Sequence, residues 1–278
     1  MKVFNIGKIY FVPTPIGNLK DFTYRAVEVL NSVDIIYAED TRSALKLLNY
    51  LKVKKRINSL HKDNERKVVE HILDELKKSD IAVISEAGTP GISDPGNFLA
   101  QMLVAEGIDF EVLPGANAII PALVKSGYPT DSFYFAGFLS HKKKEKIKDI
   151  EHLATINSTI VIYESPHRLK STLELLLNEF DKICVLRELT KIYEEKIYIH
   201  EKIDIENINI KGEFVIVVDN NRQIRKSEYR EKIDVKRAIK ELIDANFSKR
   251  DVLNILKIFG YNRNEVYEIL AKVEEKDF

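Results

Sequence analysis

Along the first 120 positions, apolar residues follow two alternating rhythms. Short β-branched and aromatic runs, "KIYFVPTP" at 8–15 and "VDIIYAE" at 33–39, predict strands. Between them the apolar positions recur every three or four residues, as at Ala26, Val27, Val29 and Leu30, which predicts a helix with Asp21 as its cap. The alternation continues with helices over 41–51, 64–78 and 95–106 and strands near "RINSL" and over 80–85 and 109–113. Strands alternating with helices of this length imply a mainly parallel sheet covered on both faces. Residues 1–121 are therefore expected to form an N-terminal α/β domain.

The pattern changes at "PALVKSGYPTDS" (121–132), whose two prolines and glycine mark a linker candidate. Beyond it, "FYFAGFL", "STIVIYES", "KICVLRE", "EKIYIH" and "GEFVIVVD" are strand-like, and several are separated by short turns. That spacing predicts a second α/β domain over 127–220, with a mixed sheet containing antiparallel pairs. From 222 to 278 there is no strand signal. Three helix-period segments, with Ser248 as a cap, Gly260 as a stop and Asn262 as the next cap, predict a small helical appendage.

Charge changes this picture little in total and more in detail. Lys+Arg and Asp+Glu both number 43, so an anion-binding surface has to be local. Two segments qualify: "HKKKEKIK" (141–148) with five lysines, and 222–263 with 12 basic against 6 acidic residues. Either could meet nucleic-acid phosphates, and either could be a solvated helix face. The tail also has a helix-turn-helix outline with Arg263 near the start of its second helix, which fits substrate docking better than DNA reading. The single cysteine, Cys184, sits in an apolar run and excludes an intramolecular disulfide framework. No apolar run approaches the ~20 residues that span a bilayer, and no signal-peptide core opens the chain. A cytoplasmic protein without a membrane partner is expected.

Candidate chemistry concentrates in three loops after predicted strands. "ISEAGTPGISDPG" (84–96) has glycines at 88 and 91 that let a ligand approach the backbone, with Thr89 and Ser93 hydroxyls beside them. A dinucleotide fingerprint would start its helix at the last glycine. Here Ser93 or Asp94 should cap a helix that begins at Pro95, so the loop suits a polar, weakly charged ligand better than a phosphate. "LPGANAII" (113–120) repeats this grammar, and "VPTPIGN" (12–18) lies on the same sheet edge. Such an edge is where an open α/β sheet binds its ligand. Asp21 and Arg25 are spaced to pair on one helix. No His or Cys spacing suits a metal.

Two strand ends carry acid, base and cation together. "AEDTR" supplies Glu39, Asp40 and Arg42, and "YESPHR" supplies Glu164, His167 and Arg168. These groups could orient substrate and handle protons. Asp40 or Ser165 could equally be helix caps, with Pro166 opening a helix and Arg42 paired to a carboxylate. "RELTK" adds Arg187, Glu188 and Lys191, with an ion-paired strand end as its plain alternative.

Six stretches, "VPTPIGNLKDFTYRAVEVL", "YAEDTRSALKLLNYL", "SEAGTPGISDPG", "LPGANAIIPALVKSGYPTDSFYFAGFL", "YESPHRLKSTLELL" and "RELTK", resemble in order those of the ribosomal RNA small subunit methyltransferase I family of the tetrapyrrole-methylase superfamily. The family usually has Asp where this chain has Glu86. The resemblance covers about 8–219 and extends to the helical tail. It implies an α/β fold of two domains with the cofactor cleft between them, a homodimer, and S-adenosylmethionine (S-adenosyl-L-methionine) as cofactor. The implied reaction is 2′-O-methylation of a cytidine ribose in the decoding region of 16S rRNA within the small ribosomal subunit, with no DNA partner. Carried over by motif, the cofactor would lie against Thr14, Gly88, Thr89, Pro90, Gly91, Ile92, Gly115, Ala116, Asn117, Ala118, Tyr163, Gly212 and Glu213. Glu39, Asp40, Arg42, Glu164 and His167 are the catalytic candidates. Arg168, Arg187, Lys191, Lys142, Lys143 and Lys144 are the substrate-binding ones. A tetrapyrrole acceptor is the alternative within the superfamily, and a nucleic-acid-binding regulator that senses a small molecule is the alternative outside it.

Overall fold

The computed structural model describes residues 6–221 and, in the C-terminal tail, 239, 241–243, 245 and 247–258. Residues through Asp219 form one compact unit and those from Asn220 form another.

The first unit is built on two sheets. Strands β1 (Ile9–Val12), β2 (Ile35–Ala38), β3 (Arg56–Ser59), β4 (Ile81–Ile84) and β5 (Glu111–Val112) form the first, in the order β3-β2-β4-β1-β5. Every pairing in it is parallel. Helices α1 (Tyr24–Ser32), α2 (Thr41–Tyr50), α3 (Glu65–Leu76) and α4 (Asn97–Ala105) are its crossovers. The near-continuous apolar strands follow from burial on both faces. Ile9, Phe11, Tyr37, Ile81 and Val83 pack in one cluster with α3 and α4, whereas Val12, Ile36, Ala82 and Ile84 pack in another with α1 and α2.

Helix α5 (Ile119–Ser126) leads to the second sheet, of β6 (Phe133–Phe138), β7 (Thr159–Glu164), β8 (Ile183–Arg187), β9 (Glu195–Ile199) and β10 (Phe214–Asp219), with α6 (Lys143–Thr155), α7 (Leu169–Leu176) and α8 (Lys202–Glu206) between them. Its order is β6-β7-β10-β8-β9, with β6 and β7 parallel and the other neighbours antiparallel. The mixed sheet expected from the short turns is thus present. One face carries Ile160, Ile162, Val185, Ile216 and Val218 against α6 and α7; the other carries Val161, Cys184, Leu186, Val215 and Val217 against Ala122 and Leu123 of α5. Cys184 is fully buried, which pushes its thiol up to about 11.

Local details depart from the sequence reading at four points. Asp21 ends a short 3-10 turn (Leu19–Asp21) capped by Asn18, and Thr23 caps α1 by accepting from Ala26 N. Arg25 pairs with Glu111 of β5 instead of with Asp21, because that turn puts Asp21 off the helix. Pro121 to Ser126 continue α5 onto the second sheet, with Ala122, Leu123 and Ser126 buried, so the linker candidate is half core helix. Neither Ser93 nor Asp94 caps α4. Gly96 occupies the cap position without a side-chain bond, and Glu65 of α3 reaches across to accept from Gly96 N (2.9 Å) and Leu99 N (3.2 Å).

In the second unit, the helix Lys249–Ile258 begins as expected at Ser248, whose Oγ accepts from Asp251 N at 3.2 Å. Ile239, Val252 and Leu256 form a small apolar cluster. Gly260, Asn262 and Arg263, with the second helix of the outline, lie outside the described residues.

The carboxylate of Glu65 satisfies two N–H groups of a buried helix start. Glu65→Ala should therefore cost about 1–3 kcal/mol in urea unfolding, and Glu65→Gln, which keeps an acceptor, less. Equal midpoints for both variants and the wild type would show that water replaces this cap.

Candidate active site

The carboxyl ends of β1, β2, β4 and β5 point their loops toward the end of the second sheet where β7 and β8 finish and β10 begins. A cleft of about 840 Å³ lies between them. Its floor is fixed by backbone. Thr14 and Gly88 exchange two N–H···O bonds of 2.9 Å, the Thr14 hydroxyl donates to Ser85 O, and the Ser85 hydroxyl donates to Gly88 O. The third loop is tied in by the Thr89 hydroxyl, which donates to Ala116 O at 3.2 Å. Gly88, at φ +88°, takes a backbone turn that a side chain would strain.

The glycine loop then turns twice. Gly91 N donates to Pro95 O, closing a short loop, and Ser93 adopts φ +63°. This left-handed residue brings Ile92, Ser93 and Asp94 to the cleft, while Pro90 and Gly91 are not in its lining. Glu39 and Glu86 line the same wall. Burial, the Glu39 charge and, more weakly, Glu86 push Asp94 up to about 6 against the opposing pull of Lys62. Burial also raises Glu39, with Lys62 opposing and Glu86 reinforcing. A cleft carboxylate raised as far as Asp94 is able to take a proton near neutrality.

The opposite wall is more apolar: Phe138, Tyr163, Leu186, Leu189, Phe214 and Val215. Tyr163 packs edge-on against Phe135 and Phe138, with ring centroids at 4.9 and 5.6 Å, and burial pushes its phenol up to about 12. Lys191 lines the cleft between Glu188 (2.8 Å) and Glu213 (2.9 Å). Burial works against its ammonium, but these carboxylates outweigh it and hold its pKa above the ordinary lysine value. Glu188 and Thr190 flank this turn at φ +51° and +67°. Such conformations persist only where the surroundings enforce them.

Of the proposed cofactor contacts, Gly88, Thr89, Ile92, Asn117, Ala118, Tyr163 and Glu213 line the cleft. Thr14, 1% exposed, lies beneath them with its polar groups engaged. Gly115 is required by packing, since a Cβ there would sit 2.7 Å from the Pro13 ring. Gly212 takes φ +110° beside Glu188, and Ala116 supplies the carbonyl that holds Thr89. Among the catalytic candidates, Glu39 and Glu164 are in the lining, whereas Asp40, Arg42 and His167 are exposed and outside it. Asp40 caps α2 by accepting from Arg42 N (2.7 Å) and Ser43 N (3.4 Å), and these bonds lower its pKa.

Glu164 is engaged from several sides. It accepts from the Thr172 hydroxyl and from Ser165 N, and it lies 3.2 Å from Arg168 Nε and 3.8 Å from Lys146 Nζ. Lys146 turns inward, its side chain only 6% exposed, and donates to Thr172. Arg168 also donates to the carbonyls of Leu139 and Ser140, so it fastens the β6–α6 loop. Arg187 similarly donates to Lys211 O and pairs with Glu195. Lys142, Lys143 and Lys144 are exposed at the start of α6. Of the two readings of Ser165, capping by its side chain does not occur: its carbonyl accepts from Arg168 N and Leu169 N, and α7 begins only at Leu169, past Pro166. Among the described residues no group of three or more His, Cys, Asp or Glu could hold a metal, and no helix is long and apolar enough to cross a membrane.

The sequence pattern offered Asp94, with Ser93, as a cap. Its position in "SDPG" after a glycine loop was the available signal, but the rival cap, Glu65, is 29 residues away.

The Tetrapyrrole (Corrin/Porphyrin) Methylases family matches residues 8–204. Proteins named ribosomal RNA small subunit methyltransferase I are similar over nearly the full length. The one from Bacillus subtilis is 40% identical, covering 95% of this chain and 94% of its own. That from Halalkalibacterium halodurans is 38% identical with the same two coverages. A crystal structure of diphthine synthase aligns with a TM-score of 0.64 at 14% identity, over 76% of this chain and 89% of that one. Uroporphyrin-III-C-methyltransferase from Thermus thermophilus gives 0.52 at 19% identity, over 77% and 94%. These two likenesses are of fold.

Because folding raises the Asp94 pKa from 3.8 to about 6, the folded state favours its neutral form. That contribution is fully present below about pH 4 and is lost as pH rises through about 6. Asp94→Asn should therefore raise Tm at pH 8 and leave it nearly unchanged at pH 4. The same Tm difference at both pH values would refute the burial of this carboxylate.

Proposed function

Since this chain belongs to the ribosomal RNA small subunit methyltransferase I family, a branch of the tetrapyrrole methylases, we propose that it methylates 16S rRNA of the small ribosomal subunit with S-adenosylmethionine as donor. We assign the acceptor as the 2′ hydroxyl of a cytidine ribose in the decoding region. The observation that carries the reading is the character of the cleft, one wall acidic and the other apolar. Glu39, Glu86 and Asp94 suit a ligand with a sulfonium and an ammonium, and Phe138, Leu186 and Val215 suit the flat aromatic face of a base. A volume of about 840 Å³ is within the range of small-molecule sites and leaves room for part of an acceptor. A homodimer and a cytoplasmic setting accompany this reading.

When bound, S-adenosylmethionine supplies an electrophilic methyl group. The residues of this chain have three tasks around it. The Gly88–Thr89 and Asn117–Ala118 loops hold the donor by close backbone approach, with Thr14, Pro90, Gly91, Gly115 and Ala116 bracing them and Tyr163 and the Gly212–Glu213 turn opposite. Alignment of the hydroxyl with the methyl carbon supplies much of the acceleration. Asp94, ionised above about pH 6, takes the proton of the ribose hydroxyl on a carboxylate oxygen, its pKa raised first by burial and then by Glu39 beside it. Lys191 faces the acceptor as a cation that favours the developing alkoxide. Glu164 acts on Tyr163 and Ser165 through its buried ion pairs, and Asp40 acts as a cap that fixes Glu39 at the lip. Arg42, His167 and Lys142–Lys144 would meet RNA outside the cleft, with Arg168 holding the loop from which those lysines start.

Small subunits from a strain lacking this protein should accept label from S-adenosylmethionine on one cytidine ribose, mapped by nuclease digestion and mass spectrometry. Label elsewhere, or none despite measurable cofactor binding, would overturn the substrate. In the same assay Asp94→Asn should lower kcat about 10²-fold or more and abolish the rise in rate through about pH 6. Gly88→Val should abolish heat of cofactor binding on titration calorimetry.

A further inference from the structure

The segment Thr41–Arg56 holds six cations, Arg42, Lys46, Lys52, Lys54, Lys55 and Arg56, and no acidic residue, in a chain whose total charge is zero. Its fold lays these charges along one path. Arg42, Lys46 and Tyr50 stand at i, i+4 and i+8 of α2 and are all exposed, Tyr50 at 59%. The helix starts at the cleft lip, one residue after the Asp40 cap and two after Glu39, and runs about 15 Å back along the sheet. There Lys52, held at φ +59°, turns the chain into Lys54, Lys55 and Arg56. These last three line a groove of about 490 Å³ with Asp34, Leu45 and Asn49.

Counter-charges are scarce on this face. Among the described residues, Arg56 alone of the six has an ion-pair partner, Glu75 at 3.0 Å. Asp34 in the groove accepts from Asp80 N at 2.9 Å and pairs with none of the lysines. Arg42 sits in the first turn of α2, where the helix dipole disfavours a cation, and it is followed four residues on by another. A face that holds uncompensated cations in unfavourable places is matched to an anion from outside. An exposed tyrosine between the cations adds a surface on which a base can stack.

We propose that the α2–β3 face is a docking track for the phosphate backbone of the RNA substrate, leading from the lower groove at Lys54 and Lys55 up to the cleft lip. This rests on the RNA reading of the preceding section and adds to it a contact region remote from the reacting ribose. The track carries affinity and no base selection, because lysine reads phosphate as a point charge. It acts in binding, so it changes KM for the RNA and leaves the chemical step alone.

The test is the double variant Lys54→Glu/Lys55→Glu, with Lys54→Gln/Lys55→Gln as a second. Binding to small subunits is measured against salt by fluorescence anisotropy, alongside methyl transfer. The expected result is a KM for small subunits raised about tenfold or more near physiological salt, with kcat and the calorimetric cofactor affinity unchanged. The slope of log K against log salt should become shallower by about 0.7–0.9 for each phosphate contact removed. Unchanged KM and slope would overturn the track while leaving the enzyme's reaction intact. If the wild type bound small subunits with a steep slope that the variants flatten, yet left no methyl group on the ribose, the track would stand and the reaction would fall. Variants that weaken binding to phosphatidylserine vesicles but not to small subunits would assign the face to a membrane and overturn the proposal.

Discussion

Two hydrogen bonds between Thr14 and Gly88 hold the cleft in place. They form a separate antiparallel bridge just past the parallel β1–β4 ladder, at the point where the chain would otherwise diverge into loops. Gly88 must stay at positive φ to make them, and Ser85 and Thr14 fold their hydroxyls underneath. Once that bridge is formed, the direction of 89–96 is constrained from one end by Gly88 and from the other by Glu65, which grips the start of α4. Asp94 enters the cleft because both ends of its loop are fixed.

The second sheet reaches the same place by other means. There the ordering element is a buried charge network, Lys146–Glu164–Arg168, with Thr172 bridging. Taking these charges out of water is costly, and it is balanced by pairing each one more than once. Glu164 stands at the end of β7, opposite Phe214 at the start of β10, so the network sets the height at which Tyr163 and Glu213 meet the cleft. One wall is thus held by backbone geometry and the other by ionic bonds.

The parts of this structure readable from sequence were those with local causes. Strand and helix periods, the Asp40 and Ser248 caps and the glycine loops at the sheet edge all depend on residues within a few positions of one another. The mixed second sheet was legible for the same reason, because short turns permit only antiparallel neighbours. Distant pairings escaped. Lys146 looked like one of five solvent lysines, and only Glu164, 18 residues on, explains why it turns inward. Asp94, with Ser93, was offered as a cap, whereas the actual acceptor comes from α3. The strand order β3-β2-β4-β1-β5 is set by parallel crossovers whose partners no local pattern names. Pro121 hid the helix around it, since proline is as compatible with a first helical turn as with a linker.

Helix α5 has a mechanical meaning. Its first turn is held by Asn117, whose side chain accepts from Ile120 N at 2.9 Å, and Asn117 and Ala118 also face the cleft. Its far side is embedded in the second sheet through Ala122 and Leu123. The segment that would touch a bound molecule and the strut that joins the two sheets are therefore the same stretch of chain. Whatever presses on Asn117 is transmitted to β8 and β10 within two helical turns, with no flexible joint to absorb the load.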